Sequence, residues 1–197
     1  SQIENKLVLS EVEGSALLSQ INKLSSLVNE TLESNYLVVN QKNAKTDLTA
    51  LLEELCEITQ ALGLKKKITL TQALPSTPLW IKGHKQNLAK AILSVLENSV
   101  NYGKINGKII VSLKKDENRA IVTIADNGIG IDQNELPFVF ERFYRGKNHK
   151  NSGHGLGLSI AKNIIEGMDG TISLESKLEK GTTVTIILAE LRREKKY

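Results

Sequence analysis

Between residues 85 and 102, apolar side chains recur at three- and four-residue steps: Leu88, Ile92, Val95, Leu96 and Val100. That spacing predicts a helix with one buried stripe. Residues 48–62 carry a second helical pattern, with Leu51, Leu52, Leu55, Cys56 and Ile58, and Gly63 marks its end. A third helix is predicted over 155–168, where Leu158, Ile160, Ala161, Ile164 and Ile165 share a face. Runs rich in β-branched residues predict strands over 107–113 and 119–125, joined by a charged turn at 114–118. Further strands are expected at 67–72, near Trp80 after a loop punctuated by Pro75 and Pro78, at 171–175 and at 182–188. Helices gathered on one face of a mixed β-sheet make a two-layer α/β sandwich.

The first forty residues differ in kind. Leu17, Ile21, Leu24 and Val28 follow four-three-four spacing, which predicts a long helix over 15–39 that packs against another helix. Residues 41–47 read as a polar linker. The chain thus divides into a helical part, 1–45, and a sandwich, 46–197.

Composition narrows the class. A net charge of +4 is modest, the basic residues are scattered, and no nucleic-acid motif is present. The run Arg192, Arg193, Glu194, Lys195, Lys196 reads as a solvated tail. The single Cys56 implies no disulfide framework and fits a reducing compartment. No apolar run reaches membrane-spanning length, and no signal-peptide pattern is seen, so a soluble, cytoplasmic chain is expected.

Three motifs carry candidate chemistry, and their order matters more than any one of them. Asn98 lies beside the apolar stripe of its helix. Its amide oxygen is a hard ligand suited to Mg²⁺, although an Asn near a helix end is also common on surfaces. Asp126 ends a β-branched run and precedes Gly128, Gly130 and Ile131. A carboxylate there can accept a hydrogen bond from an exocyclic base amine, while Asp-Asn-Gly is also ordinary turn chemistry. Gly153, His154, Gly155, Leu156, Gly157 and Leu158 form a glycine loop opening a helix, whose bare N–H groups suit phosphate. Between the last two motifs, residues 132–152 hold Arg142, Arg145, Lys147 and Lys150 interleaved with Phe138, Phe140, Phe143 and Tyr144. This stretch reads either as a lid, anchored by aromatics and meeting phosphates with its cations, or as a solvated basic loop.

The ordered set resembles the catalytic, ATP-binding region of bacterial sensor histidine kinases. That family shares an ATP fold, of the Bergerat type, with DNA gyrase, the heat-shock-90 chaperones and MutL. The resemblance covers roughly residues 48–190. It implies that Asn98 binds Mg²⁺ and Tyr102 packs near the nucleotide. Asp126 then takes the adenine amine within a first glycine box that includes Gly128, Gly130 and Ile131. Phe138 to Phe143 match an F box containing Phe140 and Arg142, with Arg145 beyond it. Gly153, His154, Gly155, Leu156, Gly157 and Leu158 match a second glycine box, and Thr182 lies near the base. The implied cofactors are ATP and Mg²⁺. The implied activity is transfer of the γ-phosphate to a His on a dimerisation hairpin, then to an Asp of a response-regulator receiver domain. The helix over 15–39 matches the hairpin's second helix, which implies a homodimer, and the parent protein of such a chain is often membrane-anchored.

Some positions depart from the family pattern. Ser94 stands where a second Asn is common, and Asn101 where a Lys is common. Gyrase-type ATPases place a Glu four residues before the Mg²⁺ Asn, on the same helix face, where it serves as general base. Ser94 does not supply that base, which favours phosphotransfer over hydrolysis. The histidines are His84, His149 and His154, and none stands in a His-Glu or His-Asp motif. The chain is therefore expected to be a piece lying downstream of its phosphoacceptor, unable to autophosphorylate alone. A gyrase-type ATP hydrolase, an anti-sigma-type serine kinase and a nucleotide-binding pseudokinase are the other readings.

Overall fold

The computed structural model describes residues 44–146 and 154–191. The helix predicted over 15–39, with the hairpin it implies, lies outside these residues, as do Gly153, His149, Lys147, Lys150 and the basic tail. The described chain begins with strand β1, Lys45–Asp47, and helix α1, Leu48–Gly63. A 3-10 turn at Leu64–Lys66 leads to β2, Thr69–Ala73, and β3, Trp80–Lys82. Helix α2, Lys85–Asn101, is followed by the hairpin of β4, Lys108–Asp116, and β5, Arg119–Asp126. After a 3-10 turn at Leu136–Phe138 come helix α3, Gly157–Glu166, and the hairpin of β6, Thr171–Lys177, and β7, Gly181–Ala189.

Five strands form one sheet in the order β2-β4-β5-β7-β6. β2 runs parallel to β4 and the remaining neighbours are antiparallel, so the sheet is mixed, as expected. The register lines Val111, Ile124, Val184 and Leu174 across one face. The next inward row is Leu113, Val122, Ile186 and Ile172. Most of these side chains are buried, and they form the sheet's half of the core. The alternate row, Ser112, Thr123, Thr185 and Ser173, lies on the opposite face, which also carries Ile110, Ile121 and Ile187.

The helices supply the other half. α2 packs between α1 and α3. Leu51, Leu52 and Leu55 of α1 meet Leu88, Ile92, Val95 and Leu96 of α2 and Ile160, Ala161, Ile164 and Ile165 of α3 in a buried layer. Cys56 is buried among them, and that burial, with Glu53 nearby, pushes its thiol up to about 11. None of these helices is long and apolar enough to cross a membrane.

Local chemistry sets the element ends. Asp47 caps α1, its Oδ1 accepting from the amides of Thr49 at 3.0 Å and Ala50 at 3.3 Å. Lys66 caps the C-terminal end of α2, donating to the carbonyls of Val100, Asn101 and Gly103, where the helix dipole favours a cation. His84 sits at the N-cap of α2, a helix-start position as its sequence suggests, without a side-chain cap bond.

The structure corrects several boundaries. The segment read as a linker ends in β1, which pairs with β3 and tucks Thr46 inside. The charged turn predicted at 114–118 shrinks to Glu117 and Asn118, because Lys114, Lys115 and Asp116 stay paired with β5 while their side chains reach solvent. β2 starts at Thr69 rather than at residue 67, since Lys67 takes a left-handed φ of 53°. α3 starts two residues later than expected, because Gly155 has φ 71° and cannot join a right-handed helix.

Leu52 is fully buried where α1 meets the core. Leu52→Ala should lower the free energy of unfolding by about 2–5 kcal/mol. Urea denaturation of the purified chain measures this, and a loss well under that range would mean that α1 is not part of the cooperative core.

Candidate functional site

The chain brings its candidate residues to one end of the sandwich. Asp126 closes β5, and β7 opens beside it, since Ala125 pairs with Thr183. The C-terminal half of α2 crosses the same end with Asn98, Ser99 and Tyr102.

Asp126 is half-buried and its carboxylate is held through one oxygen. Oδ1 accepts from the amide of Gly128 at 2.8 Å and from the amide of Thr182 at 3.3 Å. The second oxygen takes neither amide. The Ser99 hydroxyl stands between this carboxylate and the carbonyl of Val95, 3.3 Å away. Burial raises the Asp126 carboxyl above its ordinary range, and the Gly128, Thr182 and Ser99 donors pull it part of the way back. The site therefore presents a desolvated but firmly hydrogen-bonded acceptor.

The backbone around it is equally constrained. Gly181 has φ 110°, and a side chain there would run into the Asp126 carbonyl. Tyr102, half-buried at the end of α2, accepts the Ile129 amide on its carbonyl at 3.1 Å. The Ile129 carbonyl in turn accepts from the Glu179 amide at 2.7 Å. Lys104 completes this belt by donating to the Glu179 carbonyl and carboxylate, each at 3.0 Å. Gly128 and Gly130 form the strip in between. Ile131 docks on the Ser176 hydroxyl at 2.9 Å. Thr182 touches that same hydroxyl at 2.9 Å.

The other end of the site lies between α2 and α3. A Cβ placed on Gly157 would sit 3.7 Å from Ser94 Cβ and 3.9 Å from Asn98 Nδ2. The Asn98 amide thus faces the first turn of α3. Leu156, the N-cap, offers no side-chain cap bond, so the first amides of α3 remain for an anion. Among the described residues no group of three or more His, Cys, Asp or Glu is placed to hold a metal ion. A divalent cation beside Asn98 must therefore complete its shell with water and ligand oxygens, which suits Mg²⁺ on a phosphate chain. Ser94 spends its hydroxyl on the Lys90 carbonyl at 2.8 Å, one turn back.

The intervening segment departs from expectation. Gly155 accepts the Phe143 amide at 2.9 Å, which joins the F motif to the second glycine motif through backbone. Leu156 is buried, while His154 and Leu158 are half-buried. The aromatics are not the deep anchors expected. Phe138 is 43% exposed and Phe143 58% exposed. Phe138 leans on Tyr144 with ring centroids 5.6 Å apart, and Phe140 is half-buried with Lys162 Nζ of α3 5.6 Å from its ring. Arg142 and Arg145 are both exposed.

Two members escaped sequence reading. Ser99, to which the sequence alone assigns no role, faces Asp126. Ser176 occupies the third inward place of β6 after Ile172 and Leu174, and a polar residue breaking an apolar alternation was the available signal.

The charge on Asp126 opposes folding, because its folded value lies above the ordinary one. Its favourable contribution is present while the carboxyl is protonated and is lost as pH rises through the raised value. Without nucleotide, Asp126→Asn is expected to keep or raise the Tm near neutral pH, with the gap to the native chain closing in acid. Thermal unfolding across that range checks this. A variant less stable at neutral pH would mean that the ionised carboxylate holds the apo fold together.

Comparison with known proteins agrees with this geometry. Residues 83–192 match the family described as histidine kinase-, DNA gyrase B-, and HSP90-like ATPase. The sensor histidine kinase RppB of Synechocystis is 32% identical over 177 residues, covering 88% of this chain and 37% of that protein. The signal transduction histidine-protein kinase ArlS of Staphylococcus aureus is 32% identical over 174 residues, covering 86% and 39%. The chain thus spans well under half the length of these relatives. Among solved structures, the mycobacterial sensor histidine kinase MprB superposes with a TM-score of 0.68 at 27% identity, over 75% of this chain and 98% of that one. Full-length ShkA in complex with AMPPNP gives a TM-score of 0.76 at 23% identity, over 89% and 38%, a likeness of fold. With its match to the family model over residues 83–192, the chain belongs to the histidine kinase-, DNA gyrase B-, and HSP90-like ATPases, and its sandwich is an ATP-binding domain of that family.

Proposed function

We propose that this chain is the catalytic ATP-binding region of a two-component sensor histidine kinase. It binds ATP with Mg²⁺ and gives the γ-phosphate to a histidine on a dimerisation hairpin. The phosphoryl group then passes to an aspartate of a response-regulator receiver domain. The observation that carries the reading is the Asp126 carboxylate, pinned through Oδ1 by Gly128 and Thr182, at one end of a site whose other end is Asn98 facing the start of α3.

Each end has its task. Asp126 accepts the adenine amine in a charge-assisted hydrogen bond, which guanine cannot offer at that position. The α3 amides receive phosphate oxygens. Bound beside Asn98, Mg²⁺ would neutralise charge on the phosphate chain. Arg142 and Arg145, exposed on the segment that joins the motifs, would meet the phosphates, and His154 stands next to Gly155 at the loop. Ser94, with its hydroxyl tied to Lys90, activates no water. A histidine acceptor is a nucleophile in its own right and needs no such base. That contrast favours transfer over hydrolysis.

The helix expected over 15–39 would belong to the hairpin and pair with a second copy, in a homodimer on the cytoplasmic side of a membrane-anchored parent.

In calorimetric titration, Asp126→Asn should weaken ATP and ADP alike by about 1.5–3 kcal/mol. Unchanged ADP affinity in the folded variant would contradict the base assignment. Asn98→Ala should cost more affinity with Mg²⁺ than with a chelator present, and equal losses would point to a structural role. Incubation with γ-labelled ATP tests the chemistry: a histidine-bearing hairpin supplied in trans should gain acid-labile, base-stable label while this chain stays unlabelled. Label on this chain would instead implicate His84, His149 or His154.

A further inference from the structure

We propose that Ser176 is a positioning residue for base recognition. Its hydroxyl joins the end of the first glycine motif to the β6–β7 hairpin and so sets where the Thr182 amide meets Asp126. The inference rests on the adenine reading of Asp126.

The hydroxyl is used to capacity. It donates to the Gly181 carbonyl at 2.8 Å and accepts the Ile131 amide at 2.9 Å. Thr182 Oγ1 lies 2.9 Å away. A hydroxyl has one proton and two lone pairs. With its proton on Gly181, it leaves Thr182 to donate, and all three positions are then filled. Ser176 also holds Gln133, whose Nε2 donates to its carbonyl at 2.8 Å. One residue thus ties down Ile131, Gln133, Gly181 and Thr182.

The geometry at Asp126 explains why this matters for the base. The Gly128 amide comes from the same turn as the carboxylate and sits at 2.8 Å. The Thr182 amide comes from another strand and sits at 3.3 Å. The longer bond has little reserve, and a shift of a few tenths of an ångström at Thr182 would break it. Without Ser176 Oγ, the Ile131 amide and Gly181 carbonyl lose that partner, and the start of β7, still held by its ladders to β5 and β6, can make so small a shift. Asp126 Oδ1 would then keep only its local amide, and the second oxygen would lose its aim at the base amine. Among the described residues Ser176 bonds to Ile131, Gln133, Gly181 and Thr182 rather than to the α3 end, which should keep its affinity for phosphate.

The test compares ADP, inosine diphosphate, which carries a carbonyl in place of the amine, and inorganic tripolyphosphate, titrated into the native chain, Ser176→Ala and Ser176→Thr. Ser176→Ala should lower ADP affinity by about tenfold, with inosine diphosphate and tripolyphosphate little changed. Ser176→Thr, which keeps the hydroxyl, should recover most of the preference for ADP. In an Asp126→Asn background, Ser176→Ala should not narrow the ADP-to-inosine ratio further. A native ratio in Ser176→Ala, or an equal loss for all three ligands, would overturn the inference. If Ser176→Ala does not fold, Thr182→Val removes one partner of the same hydroxyl and should narrow the ratio, and an unchanged ratio there would overturn it equally. A native chain that binds ADP and inosine diphosphate alike would instead remove the Asp126 reading, which a failure confined to Ser176 would leave standing.

Discussion

Asp126 carries its charge at a half-buried strand end, and much of the surrounding structure makes that charge tolerable. Desolvation raises the carboxyl, while amides from Gly128 and Thr182 and the hydroxyl of Ser99 offset part of the cost. Those donors come from three separate places: the turn after β5, the start of β7 and the inner face of α2. Each must be in position before the carboxylate can stay ionised away from bulk water. The pairing of β7 with β5 is what brings Thr182 to Asp126.

Helix α2 is the second constraint. Its apolar stripe holds it between α1 and α3, and that packing fixes the direction of its polar residues. Ser99 then faces Asp126 and Asn98 faces α3, one residue and about 100° apart around the axis. Lys66 fastens the end of the helix, and the carbonyl of Tyr102 just beyond receives Ile129 from the glycine strip. Core packing therefore reaches the site through a few backbone bonds, without a loop of independent conformation between them.

The sequence made legible whatever rests on periodicity or on local chemistry. The stripe of α2 and the alternations of β4, β5 and β7 are strong because each element buries one face and leaves the other more open. Asn98, Asp126 and the glycines are readable because a short segment holds each motif. β1 was hidden because three residues with one buried threonine carry no periodic signal. The outer ends of β4 were hidden because Lys114 to Asp116 pair by backbone while their side chains face water. The exposure of Phe138 and Phe143 was not readable from their apolar character, since placement depends on what the fold sets opposite them. Ser176 was hidden for a different reason: its partner Ile131 lies forty-five positions away.

The proposed site has two separately built ends, a base end at Asp126 and a phosphate end at α3. Amide chemical shifts measure both at once. In a titration of the ¹⁵N-labelled chain with ADP, the resonances of Gly128 and Thr182 should move together with those of Gly157 and Leu158. With inorganic tripolyphosphate, only Gly157 and Leu158 should move. Gly128 and Thr182 resonances that stay still on saturation with ADP would contradict the account, because the carboxylate they hold would then not be what receives the base.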